Sequence, residues 1–153
     1  MINVTKNEFI EICSSKLKLV RTECDYSQDK MAVVLGMSKK TLVEIEKGRS
    51  TLGWSGSVTL CTIFQNSEII NISFGGKPTD IIMALAFEGK EPVYKKTLGG
   101  KVWWRDIEKS KNGKIQKNII SGHYRILDNE DRRISSSFNF EEIKAQLMGS
   151  KGQ

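Results

Sequence analysis

Cationic and hydroxyl side chains cluster where two short amphipathic patterns meet in the first third of the chain. Ser38 stands directly before Lys39 and Lys40, and the second pattern closes on Lys47 and Arg49. Lysine and arginine donate hydrogen bonds to phosphate oxygens and to guanine O6 and N7, and a serine hydroxyl can contact phosphates or bases. These residues therefore indicate binding to a polyanion rather than a chemical reaction.

The residue types that commonly carry catalysis or bind metals are few and scattered. Cys13, Cys24 and Cys61 lack C-x-x-C spacing, and the single histidine, His123, lies far from them in sequence. No nucleophile elbow, phosphate loop or convergent pair of carboxylates accompanies His123. We expect a protein that is not an enzyme, with no catalytic residue, no disulfide framework, no metal site and no cofactor.

The composition is that of a globular protein with a moderate basic excess. Lysine and arginine number 24 against 18 acidic residues, a net charge of +6, and 39% of the residues are hydrophobic. The first 60 residues carry nine basic and seven acidic side chains, so most of the excess lies further along the chain. With no charged leader and no apolar stretch of about 18 residues, we expect a cytoplasmic protein with no membrane contact.

A long helix is predicted ahead of the basic cluster. Thr5 and Glu8 have the spacing of a capping box. Apolar residues then recur at three- and four-residue steps, predicting a helix to about residue 22: Phe9, Ile12, Cys13, Leu17 and Val20. In this arrangement Arg21 faces water.

Two short helices should follow, because Ser27 and Ser38 are both suited to N-cap positions and Gly36 tolerates positive φ between them. Two helices can cross closely when the first contains a small residue, the turn contains a glycine and the second helix has branched apolar residues on its inner side. Ala32, Gly36, Leu42 and Ile45 fill these positions. Three further segments follow a pattern habitual in one family: Ser27-Gln28, Leu35-Gly36-Met37-Ser38 and Ile45-Glu46-Lys47-Gly48-Arg49. With them, residues 17–50 resemble the Cro and phage-repressor helix-turn-helix, the Xre family.

The resemblance implies that four side chains face the major groove from a recognition helix at 39–47: Ser38, Lys39, Lys40 and Glu44. Lys40 would donate to guanine, and Glu44 would accept from cytosine N4. Val43 departs from the family pattern as an apolar group on a polar face. Glu44 departs from it as an acid that opposes phosphate unless it meets a base donor.

The resemblance also implies three contacts to the phosphate backbone. Gln28 would lie against a phosphate at the positive end of the first motif helix. Lys47 and Arg49, just past the recognition helix, would hold phosphates and set register without reading sequence.

The rest of the chain predicts further helices and then a small sheet. Residues 58–74 favour helices, although their β-branched content would suit strands equally. Asn112-Gly113 and the run from Asp128 to Asp131 predict two hairpin turns between three antiparallel strands, the middle one at 115–128. Asn139 to Glu142 predicts the cap of a terminal helix, with Phe138 and Ile143 as its staple.

Eight basic residues between Lys95 and Lys117, among them Lys96 and Lys101, could form a wing against DNA, a surface for another acidic partner, or a solvated sheet face. Alternation sends Trp103 and Trp104 to opposite faces, with one beneath the terminal helix. For the other we favour packing or dimerisation over ligand binding.

We expect a mainly α helix-turn-helix domain at 1–76. An α+β module at 77–148 should follow, with a three-stranded antiparallel sheet and a terminal helix. Residues 149–153 should form a frayed tail. The function expected is a sequence-specific transcriptional regulator that binds double-stranded DNA as a homodimer. Two alternatives stay open. The C-terminal module could bind a small-molecule effector or a protein partner, or the helical domain could be a protein-interaction adaptor that does not bind DNA.

Overall fold

A computed structural model describes residues 3–95 and 102–149 of the chain. The chain divides into two compact units, Met1–Tyr94 and Lys95–Gln153. Within the described residues the fold is α+β, with seven helices and four strands. The division falls later than the boundary expected at residue 76, because the helix that follows Pro78 packs on the N-terminal core.

The N-terminal unit is helical throughout its regular structure. Its elements are α1 (Lys6–Glu23), α2 (Gln28–Leu35), α3 (Lys39–Glu46), α4 (Gly53–Ile63), α5 (Glu68–Phe74) and α6 (Thr79–Phe87). The helical prediction for residues 58–74 is therefore confirmed. Phe9 lies at the centre of the core, with its ring centroid 5.6 Å from that of Trp54 and 5.1 Å from that of Phe74.

The capping box predicted at the start of α1 is present. The Glu8 amide donates to Thr5 Oγ1 at 3.2 Å, and the Thr5 amide donates to Glu8 Oε2 at 2.8 Å. These two bonds satisfy amides that a helix start otherwise leaves unpaired. Of the apolar stripe predicted along α1, Ile12 is half-buried and the other four residues are buried, and they fix the helix against α4 and α5.

The C-terminal unit is an antiparallel sheet with one helix on one face. Its elements are β1 (Trp104–Ser110), β2 (Gly113–Asn118), β3 (Tyr124–Leu127), β4 (Arg133–Ser137) and α7 (Phe140–Gly149), with strand order β1-β2-β3-β4. Ile115 and Ile126 pair across β2 and β3, and Ile143 and Leu147 of α7 cover them. The terminal helix therefore covers one sheet face, as predicted.

The prediction of three strands is wrong, because a turn interrupts the expected middle strand. Asn118 Oδ1 accepts hydrogen bonds from the amides of Ile120, at 2.9 Å, and Ser121, at 3.0 Å. Gly122 follows at a φ of +77°. Asparagine and glycine are turn residues, but the apolar pair Ile119-Ile120 between them obscured the signal.

Two side-chain predictions for this unit are also wrong. Phe138 is 77% exposed and contacts His123 rather than Ile143, so it does not form the expected staple. Tyr124 of β3 contacts Phe140 of α7, with ring centroids 5.3 Å apart, whereas neither Trp103, which is 44% exposed, nor Trp104 belongs to the hydrophobic cluster beneath α7. Gly149 is the last residue of α7, and residues 150–153 of the expected tail lie outside the described residues, as do Lys96 and Lys101 of the basic segment.

Gly113, at the start of β2, occupies a position where a side chain should destabilise the sheet. Its φ is +149°, and a Cβ there would collide with the carbonyl oxygen of Leu127 on β3. We expect Gly113→Ala to lower the free energy of unfolding by about 2 kcal/mol in urea denaturation. Gly149→Ala is the control, since open space surrounds that position. Equal stability of the two variants would contradict the prediction.

Candidate nucleic-acid interface

The chain forms α2 and α3 where hydroxyl caps and a glycine turn predict them. Ser27 Oγ accepts from the Lys30 amide and Ser38 Oγ accepts from the Thr41 amide, both at 3.1 Å. Gly36 ends α2 in the left-handed conformation, at a φ of +71°. Each N-cap satisfies a first-turn amide, so both helix starts are fixed by local chemistry.

One side of α3 is buried in the helical core and the other faces outward. Leu42 and Ile45 are buried, as the sequence predicted. The exposed candidate residues on and around α3 are Ser38, Lys39, Lys40, Lys47 and Arg49. The buried side therefore anchors α3, and cationic side chains project from its exposed side.

An ion pair between α1 and α3 helps to anchor α3 on its buried side. Arg21 Nε donates to Glu46 Oε2 and Arg21 Nη2 donates to Glu46 Oε1, both at 2.9 Å. Arg21 Nη1 donates to the carbonyl oxygen of Tyr26 at 2.9 Å, which ties the end of α1 to the start of α2. The exposed fractions of the Arg21 and Glu46 side chains are only 16% and 5%. A bidentate pair this sheltered holds α3 in a defined orientation.

The electrostatics of the pair favour its charged form. Burial acts to raise the pKa of Glu46, but the hydrogen bonds and charge of Arg21, with a hydrogen bond from Gln28 and the charge of Lys18, together leave that pKa below its ordinary value. The hydrogen bond to Glu46 raises the pKa of Arg21. Both groups therefore stay ionised at neutral pH.

The sequence prediction that Arg21 faces water is wrong, and Glu46 was not predicted to have a structural role. The missed signal is the position of Glu46 one helical turn after the inward-facing Leu42, which sends the carboxylate inward as well. A carboxylate on a buried face requires a cation nearby, and Arg21 provides it.

Gln28 lies at the first position of α2, where a phosphate contact was expected. It is half-buried, and its Nε2 donates to Glu46 Oε1 at 3.5 Å. The structure thus brings Gln28 to the Arg21–Glu46 pair rather than leaving its amide group fully exposed.

The exposed cations differ in their ionic partners. Lys39 Nζ lies 3.0 Å from Asp29 Oδ2, and Arg49 Nη1 lies 3.6 Å from Glu44 Oε1. Lys40 and Lys47 form no ion pair within residues 3–95 and 102–149. Exposed ion pairs contribute at most about 1 kcal/mol, so Lys39 and Arg49 can exchange their partners for phosphates.

The described part of the chain contains no group of three or more His, Cys, Asp and Glu side chains that could hold a metal ion. None of the helices described in it has the length and apolar composition of a membrane span. Comparisons with protein-family models, with curated proteins and with solved structures found no match.

Proposed function

We propose that the N-terminal unit binds double-stranded DNA as a helix-turn-helix of the Cro and phage-repressor type, and that the protein is a sequence-specific transcriptional regulator. The observation that supports this most is the two-sided character of α3. Leu42, Ile45 and Glu46 anchor one side, while Lys39 and Lys40 project from the N-terminal end of the other. In this class of DNA-binding motif, that end of the recognition helix approaches the base edges.

Lys40 is the strongest candidate for a base contact in this proposal. It is exposed and has no ionic partner among the described residues, so no existing ion pair competes with guanine O6 and N7 for its ammonium group. Glu44 lies one turn further along α3 and can accept from cytosine N4. In the free protein Glu44 pairs with Arg49, and on DNA Arg49 would exchange Glu44 for a phosphate while Glu44 accepts from the base.

The remaining candidates would hold the backbone. Lys47 and Arg49 follow α3 at its end and are exposed, so they can donate to phosphates beside the groove. Gln28 would approach the same backbone at the N-terminal end of α2, with the amide oxygen and nitrogen oriented by Glu46.

The proposal includes a homodimer. α3 has only 8 residues, and a helix of that length offers too few base contacts for useful specificity. Helix-turn-helix proteins overcome this limit by docking as symmetric pairs on half-sites about one helical turn of DNA apart. Sequences selected from a random duplex pool should therefore contain two inverted copies of a short motif at about that spacing.

The same selection tests the residue roles. Lys40→Ala should change the preferred base at one position of each half-site, because it removes a base donor. Arg49→Ala should leave the selected motif unchanged and weaken binding about equally across sequences, because it removes a phosphate contact. If Lys40→Ala altered neither the motif nor the affinity, its assignment as a reading residue would be withdrawn.

A further inference from the structure

The sheet of the C-terminal unit has a second face that α7 does not cover. Strand register places Asp106, Gln116, Arg125 and Ser136 directly opposite one another across the four strands. Side chains opposite one another in a sheet share a face, and the neighbouring row containing Ile115 and Ile126 lies beneath α7. The row centred on Arg125 therefore belongs to the open face.

Arg125 is held on this face by groups that carry no charge. Its guanidinium carbon lies 3.7 Å from the centroid of the Trp104 ring. Its Nε and Nη2 donate to Gln116 Oε1 at 3.0 Å and 2.8 Å. Stacking and hydrogen bonds together fix the plane of the guanidinium, so little side-chain entropy remains to be lost on binding a ligand.

Arg125 also has no ionic partner within the described residues. The nearby charge of greatest effect is another cation, Arg133, whose Nε donates to Ser136 Oγ at 3.0 Å. Burial, and then repulsion from Arg133, lower the pKa of Arg125. The charge of Asp131 acts in the opposite direction, but Asp131 forms its ion pair with Lys114, at 3.3 Å, and not with Arg125. A half-buried cation without an ion pair is energetically unfavourable, and an anion from outside the chain would offset that cost.

The acid on the same row does not neutralise Arg125. Asp106 Oδ1 accepts from Gln116 Nε2 at 2.8 Å, and Asp106 Oδ2 lies 3.7 Å from Lys109 Nζ. Gln116 thus separates the carboxylate from the guanidinium, and Lys109 already offsets the charge of Asp106. Asp106 therefore leaves Arg125 and Arg133 available to bind an anion.

We propose that the open face of the sheet, centred on Arg125, is a second contact to the phosphate backbone of duplex DNA. This inference rests on the proposed function of the N-terminal unit. Gln116 occupies the Nε side of the Arg125 guanidinium, which leaves Nη1 and the second hydrogen of Nη2 to donate to phosphate oxygens. A second DNA contact on the same chain strengthens binding through effective concentration.

Contacts on this face favour a duplex over a single strand. Single strands bind by stacking bases on open aromatic rings. Arg125 covers a face of the Trp104 ring, and the His123 ring packs against Trp104 at 4.9 Å in an edge-to-face arrangement. Trp104 therefore serves to orient Arg125 and is not an open platform for a base.

The first test compares two arginines of the same unit in the full chain. Arg125→Met removes the charge but keeps an unbranched side chain over Trp104, whereas Arg132→Met removes an exposed arginine already paired with Asp128 and Glu130 at 2.8 Å and 3.1 Å. We expect Arg125→Met to weaken binding to duplex DNA about tenfold and to reduce the salt slope by about 0.9 for each protomer bound, with a much smaller effect of Arg132→Met. Equal effects would mean that net charge alone acts, and would overturn the proposal.

The second test distinguishes the DNA contact of the sheet from the proposed role of α3. It uses the wild-type chain, so no substituted protein has to fold. An NMR titration of the isotope-labelled full chain with duplex DNA would follow the Arg125 Nε–H signal and the amides of α3. Shifts at both places support both proposals. Shifts at α3 alone overturn the sheet contact, shifts at the sheet alone overturn the role of α3, and no shifts overturn both. Shifts of Arg125 with polyglutamate but not with DNA would assign the face to an acidic protein and overturn the DNA contact.

Discussion

Replacing Glu46 with alanine is expected to lower the free energy of unfolding of the full chain by about 3 kcal/mol. The substitution leaves the sheltered guanidinium of Arg21 without its two charge-assisted hydrogen bonds to the carboxylate. Removing one partner from a buried ion pair costs more than the pair contributed, because the remaining charge stays poorly solvated. Urea denaturation near pH 7 measures the change.

The matched control is Glu44→Ala, two residues earlier in the same helix. Glu44 pairs with the exposed Arg49, so its loss should change stability by less than about 1 kcal/mol. The dependence on pH is a second check. Because Arg21 lowers the pKa of Glu46 in the folded state, the ion pair stabilises the fold at neutral pH, and this stability is lost as pH falls through the lowered pKa. The difference between wild type and Glu46→Ala should therefore shrink below about pH 4.5. A difference that stayed constant into acid would mean that the carboxylate charge is not what holds α3.

Replacing Lys39 and Lys40 together with alanine is expected to weaken binding to duplex DNA about a hundredfold at low salt. Each lysine that contacts a base or a phosphate contributes roughly tenfold in affinity, and the two lie side by side at the start of α3. Both side chains are exposed and outside the helical core, so the fold should be unaffected. Fluorescence anisotropy with a labelled duplex measures the affinity.

The control for the double variant removes two other lysines from the same unit. Lys77 and Lys90 flank α6 and are exposed, so Lys77→Ala with Lys90→Ala changes the net charge equally without touching α3. If the control variant lost as much affinity as the α3 variant, the attraction would be diffuse and α3 would have no special role.

Local chemistry explains why the helical unit could be largely predicted from sequence. Thr5, Ser27 and Ser38 cap their helices through hydrogen bonds to residues only three positions away, and Gly36 adopts the turn conformation that few other residues accept. These features depend on short stretches of chain, so the residue pattern alone is sufficient to place them.

The features that the sequence did not reveal depend on residues brought together by the fold. Arg21 and Glu46 are 25 positions apart, and neither is distinguishable from a surface charge until α1 and α3 are packed. The stacking of Arg125 on Trp104 depends on the register of three strands, which the unexpected turn after Asn118 determines. Hydrophobic periodicity carries no information about either contact.

Whether this chain binds duplex DNA is best measured by fluorescence anisotropy with random-sequence duplexes across a salt series. We expect the full chain to bind at about 50 mM salt and to lose about a hundredfold in affinity by about 200 mM, because cations around α3 release counterions from phosphates. No binding at low salt, or binding that does not change with salt, would contradict it.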